Sequence, residues 1–541
     1  MSSGYARLNG VLLDLAAQLI MQRNYQRSIK CAGILLAIVS LAACGGLPKG
    51  AEHTASTAMK GNKGTSLAVV VRPRVAAHPG QSGLHSLADA HDAIAARLVL
   101  ADAAQRSLDV QYFIWNKDLV GKVLLERLLR AADRGVRVRL LLDDLGTMPS
   151  DAVLLAIDSH PNIEVRMFNP ATLRSPRLLG IVADIGRLNK RMHNKSFTVD
   201  GQVSIVGGRN IGDEYFGANE AMNYADLDVA VIGPVVKEVS DQFDLYWNHP
   251  ASIPIATLSR QNTTPEEFAA KRAALVAHRE TAGQSEYAES MRDSEFARQL
   301  RSRNISFSWG RATIVNDQPD KVLTSAAKTE THLAPQLGQV VDKTKRELFL
   351  VSPYFIPGKQ GVELLAKVRQ RGARVVVITN SLASTDGVPV HSKYKLYRKA
   401  LLQAGVELYE LKPTTGALHE RRSGGLRGPT GSGSAGLHAK TFAFDRRICF
   451  VGSYNLDPRS SKPNTEMGVL FDCPGFAKRL PEKTGRDIDR NAYRVELVGN
   501  RLEWVTREGN KQVRFNSEPE AGLVKRIQVT VLSWLPIEGL L

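Results

Sequence analysis

A chain of 541 residues exceeds what one ordinary hydrophobic core organises, so two large domains or a duplication is expected. With 43% hydrophobic and 23% charged residues it belongs with folded globular proteins, not with disordered chains. Lys plus Arg outnumber Asp plus Glu by 71 to 54, a net charge of +17 that suits an anionic partner (a phospholipid headgroup or nucleic acid), while the four cysteines lack metal-ligand spacing and so argue against a zinc site.

In chain order, Arg23, Arg27 and Lys30 precede an apolar run from Cys31 to Ala43. That run is too short to span a bilayer as an ordinary helix. A basic flank before a short apolar core fits a secretory leader, and the pattern starts most naturally at Met21. Residues 1–44 are therefore read as a signal peptide. Its end, Leu41-Ala42-Ala43-Cys44-Gly45, resembles the lipobox of bacterial lipoproteins, which implies cleavage before Cys44 and lipidation of its sulfur. Residues 45–85 are rich in Gly, Ala, Ser and Thr without periodic apolar positions and read as a tether, with organised structure from Ser86.

The body of the chain repeats. Leu108 to Ile114 and Leu348 to Ile356 read as buried strands, each followed by a helical stretch, Val120 to Ala132 and Gly361 to Gln370. Each stretch ends at Arg-Gly, where glycine supplies a left-handed stop. Val136 to Leu142 matches Ala373 to Thr379, and Ile163 to Phe168 matches Val406 to Leu411; Pro170 and Pro413 close the latter pair. Strands alternating with helices indicate an α/β fold in each half. The offsets are nearly constant: 242 from Tyr112 to Tyr354, 237 from Gly135 to Gly372, 243 from Glu164 to Glu407 and 245 from His193 to His438. This is the mark of a tandem duplication. Between the halves, residues 255–305 are rich in Ala, Arg, Glu and Gln and read as a helical connector. Past residue 490, Tyr493 to Val498 and Leu502 to Arg507 flank Gly499-Asn500-Arg501 and predict a hairpin. Leu523 to Leu541 suits either a membrane surface or the core.

Two segments obey the pattern His-x-Lys followed by Asp five residues later: His193-Asn194-Lys195 with Asp200, and His438-Ala439-Lys440 with Asp445. Strand alternation puts the His and Lys of each motif on one face. Asn210 and Asn455 each lie 17 residues after their histidine, and Asp226 and Glu466 follow at equivalent positions.

These segments, with Gly207 to Asp213, Thr379 to Ser384 and Asn455 to Ser460, resemble the phospholipase D superfamily and, within it, the bacterial cardiolipin synthases of the C type. The resemblance runs from about Ser86 to Leu541. It implies an α/β fold of two tandem phospholipase D-type domains, each a mixed β-sheet flanked by helices, related by pseudo-twofold symmetry with the active site at their interface. The boundaries expected are 86–250 for the first domain, 251–310 for the connector, and 311–541 for the second domain with a C-terminal extension. It also implies a phosphohistidine intermediate, and a structural pairing role for Asp200 and Asp445. A lipoprotein-type leader departs from that subgroup. It points to a bacterial membrane-associated protein, lipid-anchored and facing the periplasm.

The chemistry follows from the residue types. A phosphodiester resists attack until its oxygens are neutralised and its leaving alkoxide receives a proton. Imidazole, with an ordinary pKa of about 6.5, serves as nucleophile or as acid. His193 is read as nucleophile and His438 as general acid, although the residues alone allow the reverse. Lys195 and Lys440 would hold the nonbridging oxygens, Asn210 and Asn455 would add neutral donors, and Asp226 and Glu466 would orient the imidazoles. No metal or cofactor is required by this scheme. The favoured reaction is phosphatidyl transfer to an alcohol of phosphatidylglycerol, giving cardiolipin. Hydrolysis by the same site is the runner-up. Cleavage of nucleic acid is less expected, because the 6% of aromatic residues do not interleave with basic clusters. The expected partners are thus anionic phospholipid substrates and a membrane surface. Other features remain open at this level. Asp143 and Asp144 read as turn formers. Arg174, Arg177, Arg187, Lys190 and Arg191 suit headgroup contacts or a solvated loop. Ser423 to Gly436 suits a flap or filler, Cys449 reads as a buried strand residue, and an oxidising compartment would allow a Cys449–Cys473 disulfide.

Overall fold

A computed structural model describes residues 47, 54–60, 62–174, 184–219, 221–259, 264–302, 304–324, 332–413, 434–485 and 488–541. The leader, Cys44, Arg177 and nearly all of the Ser423–Gly436 stretch lie outside them.

The first half runs β1 (Ser82–Leu87), β2 (Ser107–Tyr112), β3 (Arg137–Asp143), β4 (Ile163–Phe168), β5 (Ser196–Val199), β6 (Val203–Gly207), β7 (Met222–Ala225), β8 (Asp228–Ile232) and β9 (Ser252–Pro254). The second repeats it as β10 (Ser308–Asn316), β11 (Glu347–Val351), β12 (Arg374–Asn380), β13 (Glu407–Leu411), β14 (Ser434–Leu437), β15 (Thr441–Phe444), β16 (Ile448–Gly452) and β17 (Met467–Asp472), then adds β18 (Ala492–Val498), β19 (Arg501–Glu508) and β20 (Lys511–Phe515). In each half three strands are parallel, β2–β3–β4 and β11–β12–β13, and their near-continuous Val, Leu and Ile are buried on both faces, as sheets covered by helices require. The helix Leu119–Asp133 shows how the crossovers form. The Asp118 carboxylate caps its start by accepting from Gly121 N–H, Leu124, Leu125, Leu128 and Leu129 bury its inner face, and Gly135 at φ 88° ends it. The matching helix Gly358–Gln370 stops before Gly372, also at φ 88°.

Antiparallel β5, β6 and β8 extend the first sheet from β2 to β1, and β15, β16 and β17 extend the second from β11 to β10. β1 and β10 then pair antiparallel and join both halves into one sheet, with Ser82 opposite Gly310, Gly83 opposite Trp309 and Leu84 opposite Ser308. β8 and β17 make Gly83 and Arg311 equivalent, and hence Ser82 and Gly310. The Ser82–Gly310 pair therefore straddles the pseudo-twofold axis, and the fold is the duplicated α/β architecture expected.

Strand register tests the repeat residue by residue. Leu108 opposes Val199 as Leu348 opposes Phe444, and Trp115 bridges Ile211 as Phe355 bridges Leu456. Leu108 and Trp115 thus correspond to Leu348 and Phe355, which makes Ser352, not Tyr354, the counterpart of Tyr112. The Gly135, Glu164 and His193 equivalences match the register. Tyr-Phe closes both predicted strands, so matching Tyr112 to Tyr354 displaces the repeat by two residues from the register.

Several other expectations change. The tether residues from 54 onward are packed. Thr65 caps a helix, Ser66–Ala76; Ser56 N–H donates to Asn248 (3.0 Å); Asn62 donates to the Asp200 carbonyl (2.7 Å). β9 and the start of β10 draw both ends of the 251–310 segment into the sheet, leaving among the described residues between them four helices, Ile255–Leu258, Pro265–Ala282, Glu286–Arg292 and Glu295–Arg301. The hairpin forms with a two-residue Gly499-Asn500 turn, and β20 adds a third strand that the charged Lys511–Arg514 stretch concealed. Cys449 is buried in β16, yet it and Cys473 are free thiols, not a disulfide.

Candidate active site

Both histidines stand just before β5 and β15, beside the carboxyl ends of the parallel strands, where α/β sheets place their ligand sites. Backbone pairing fixes what faces them. Met192 forms a parallel bridge with Thr465, and His193 N–H donates to the Thr465 carbonyl (2.9 Å), so Glu466 comes beside His193. By the same geometry Leu437 of β14 pairs with Ala225 of β7, and His438 N–H donates to the Ala225 carbonyl (2.8 Å), so Asp226 comes beside His438. The result is an exchange across the duplication. Glu466 of the second half binds His193 Nδ1 at 2.8 Å, and Asp226 of the first half binds His438 Nδ1 at 2.6 Å. All four side chains are buried. With Nδ1 engaged, Nε2 is the nitrogen left for chemistry.

The two carboxylates are seated differently. A Cβ on Gly208 would lie 2.2 Å from Asp226 Oδ1, so only glycine leaves room for the shorter side chain. Asp226 Oδ1 also accepts from Leu227 N–H (2.7 Å), and Arg209 grips the Asp226 carbonyl along with those of Leu87, Ala88 and Tyr215. In the other half the Ser453 hydroxyl donates to Glu466 Oε2 (2.5 Å), and the Glu466 N–H is held by Asp317 (2.8 Å). Burial pushes the Glu466 carboxyl up to about 7, against the pull of Lys195 and Ser453. Burial also pushes Asp226 up, but His438, Lys440 and Arg209 together outweigh it and hold this carboxyl at about 2.

Lys195 Nζ donates to the His193 carbonyl at 2.6 Å. Lys440 Nζ donates to the His438 carbonyl at 2.5 Å and lies 2.9 and 3.0 Å from that ring's two nitrogens. Burial lowers Lys195 to about 7 and Lys440 to about 8. Burial, then the charges of Lys195, Lys440 and His438, hold His193 well below its ordinary value. Burial and Lys440 lower His438 too, with Asp226 pulling it back up. The four motif side chains and the two carboxylates thus form one buried, mutually interacting electrostatic cluster.

The motif aspartates do other work. Asp200 and Asp445 sit at φ 52° and 53° in the turns after β5 and β15. Each carboxylate accepts from three successive backbone N–H groups at the start of its neighbouring strand: Gln105, Arg106 and Ser107 for Asp200; Lys345, Arg346 and Glu347 for Asp445. Asn210 is held in place, its Oδ1 accepting from Ile114 N–H (3.2 Å) and its Nδ2 donating to the Tyr215 hydroxyl (2.9 Å). Asn455 is buried with its Oδ1 unpaired. Arg191, read as a loop cation, is buried on Asp143 at 2.5 Å, and Asp143 also accepts from Met192 N–H (3.0 Å), so this pair fixes the approach to His193. Lys190 donates to the Thr324 carbonyl (2.8 Å), and Arg187 pairs with Asp184 (2.5 Å). Residues not singled out from sequence complete the surroundings. Phe113 meets the His193 ring edge-on at 4.9 Å, and Tyr215 and Tyr224 stand 5.1 and 5.3 Å from the His438 ring. Their positions at strand ends and in loops carry no periodic signal.

A duplicated mixed sheet that joins two His-Lys motifs in one buried cationic cleft defines the phospholipase D class of phosphodiester-transfer proteins. A family model described as "Cardiolipin synthase, PLD-like domain" matches residues 98–247 and 337–488, once per half, and the chain belongs to that family. It is therefore a phospholipase D-type phosphatidyltransferase, bacterial and membrane-associated. Cardiolipin synthase C of Escherichia coli (strain K12) is 42% identical over 480 residues, 88% of this chain and 99% of the relative. Cardiolipin synthase B of Escherichia coli O6:H1 is 25% identical over 403 residues, 74% of this chain and 79% of the relative. Among solved structures, a phosphatidylserine synthase from Haemophilus influenzae Rd KW20 shares the fold with a TM-score of 0.53 and 15% identity, over 85% of this chain and 95% of that one. No helix among the described residues is long and apolar enough to cross a membrane.

The lowered lysines set a pH dependence. Each is charged below its own value and neutral above it, so the site loses positive charge as pH rises through about 7 and about 8. His193, held below 6.5, stays an unprotonated base on the acid side. A profile of kcat/KM against pH is expected to fall above neutrality and to show no acid limb at 6.5. A profile that stays level to pH 9 contradicts the assignment.

Proposed function

We propose that this protein makes cardiolipin, with His193 as nucleophile and His438 as general acid. The observation that carries the assignment is the unequal pair of carboxylates. Asp226, whose carboxyl is held low by His438, Lys440 and Arg209, pulls His438 back toward the imidazolium against burial and Lys440. Glu466, near 7, gives His193 a weaker counter-charge, which favours the neutral, nucleophilic ring.

In the first step His193 Nε2 attacks the phosphorus of a donor phospholipid, the bond to the headgroup oxygen breaks, and His438 passes a proton to the leaving alkoxide. In the second, neutral His438 takes the proton from a hydroxyl of phosphatidylglycerol, whose oxygen attacks phosphorus as the bond to His193 breaks. Lys195 and Lys440 hold the nonbridging oxygens throughout, and Asn455 adds a neutral donor. Asp200 and Asp445 brace the motif strands and touch no substrate. Phosphate binding restores the lysine charges that burial suppresses, so the cleft favours the charge-dense transition state.

Purified protein with labelled phosphatidylglycerol, with and without phosphatidylethanolamine, is expected to yield cardiolipin, and His193→Ala and His438→Ala to lose at least 10⁴-fold in rate, in the range seen when a catalytic nucleophile or base is removed. Phosphatidic acid as the sole product overturns transfer in favour of hydrolysis, and activity surviving in either variant overturns that residue's role.

The finer location is also proposed: lipidation at Cys44 anchors the chain on the periplasmic face, supported by the basic flank, short apolar core and lipobox-like end of residues 21–45. Labelled palmitate is expected in the wild type and absent from Cys44→Ala. Equal labelling removes the anchor from the account.

A further inference from the structure

The helix Leu523–Trp534 is held on one side and bare on the other. Val529 is fully buried beneath it. Lys525 Nζ donates to the carbonyls of Ala383 (3.1 Å) and Thr385 (2.9 Å), and Lys393 Nζ caps the far end on the carbonyls of Ser533 (3.0 Å) and Leu535 (2.5 Å). Opposite Val529, the residues Leu523, Val524, Ile527, Val531, Trp534 and Leu535 are all exposed, Leu523 to 73% and Trp534 to 76%. At 3.6 residues per turn these six fall within an arc of about 120° centred opposite Val529, a continuous stripe about 18 Å long. The neighbouring helix Val388–Gln403 adds exposed Leu396.

We propose that this stripe lies in the interfacial layer of a phospholipid bilayer and seats the catalytic cleft on it. Three observations select a bilayer. The helix has 12 residues, too few to span, so its apolar face is suited to lying within the surface layer. Its charged residues, Lys525 and Arg526, lie outside the stripe on the protein side, held by the carbonyls of Ala383, Thr385, Ala521 and Glu518, so the outward arc carries no charge, and tryptophan at its end is the side chain favoured at that depth. The helix that carries the stripe is also tied to the site. The segment that Lys525 grips runs into Asp386, whose carboxylate accepts from the hydroxyls of Tyr224 (2.8 Å) and Tyr354 (3.0 Å), and Tyr224 packs against His438. A second copy of this chain is the less suitable occupant, because one short stripe falls below the roughly 800 Å² per partner of a stable dimer.

The inference rests on the lipid-transfer reading, and its test separates the two. Trp115, Trp247 and Trp504 are buried and Trp309 is partly covered, so Trp534 is the tryptophan best placed to meet lipid. Vesicles of phosphatidylglycerol and phosphatidylethanolamine carrying brominated acyl chains are expected to quench the full chain's fluorescence, and Trp534→Phe to lose that quenching. A Leu523→Glu, Ile527→Glu double variant is expected to lose at least tenfold in turnover of vesicle lipid, while keeping wild-type turnover of short-chain phosphatidylglycerol dissolved as monomers. Quenching absent in the wild type or undiminished in Trp534→Phe overturns the proposal, as does an equal loss on both substrates. A wild-type dimer that the double variant converts to monomer gives the stripe to a second copy and also overturns it. Should the wild type turn over neither lipid form, the phosphatidyltransfer reading fails while the quenching result still decides this one.

Discussion

Each imidazole is held by a carboxylate from the other half of the chain, and neither half contains a complete site. Asp226 belongs with the first motif in sequence but serves His438; Glu466 belongs with the second but serves His193. The exchange demands that the halves keep one fixed register, and two strand pairings supply it, β1 with β10 near the axis and β7 with β14 beside the site. Breaking a buried charged pair on one side costs about 3–5 kcal/mol, because the partner is left uncompensated. The same contacts that assemble the chemistry therefore help to hold the duplicated fold together.

Symmetry brings the groups together, and its breakdown divides their labour. Glycine at 208 admits an aspartate packed against backbone, whereas serine at the equivalent 453 donates to a glutamate. The shorter acid ends up strongly ionised and the longer one near neutrality. On the proposed assignment, two copies of a single motif thereby become a base and an acid, the separation that two-step phosphoryl transfer through one histidine requires. Burying two lysines among two histidines is unfavourable in itself, and an anionic ligand relieves it.

The duplication, the two motifs and the strand–helix order were legible in sequence because each rests on local pattern: alternation, helical period, and glycine at helix ends. Asp226 and Glu466 were legible as orienting groups, but their crossing was not, since it depends on strand pairings between residues hundreds of positions apart. Arg191 misled for a related reason. A cation in a polar stretch reads as solvated until a buried aspartate, Asp143, is found beneath it. The helix within the presumed tether was hidden by its run of β-branched valines and its internal Pro73, which give no apolar period and argue against a helix. The C-terminal helix was ambiguous in sequence because most of its apolar residues face outward and only Val529 is buried, a division that an apolar period alone does not reveal.

The crossed pairs can be observed directly. In protein labelled with nitrogen-15 at histidine, two Nδ1-bound protons should resonate far downfield, one for each carboxylate-bound ring. The account predicts that Glu466→Ala removes only the His193 signal and Asp226→Ala only the His438 signal. Loss in the opposite sense, or two signals surviving both substitutions, would contradict the exchange on which the site is built.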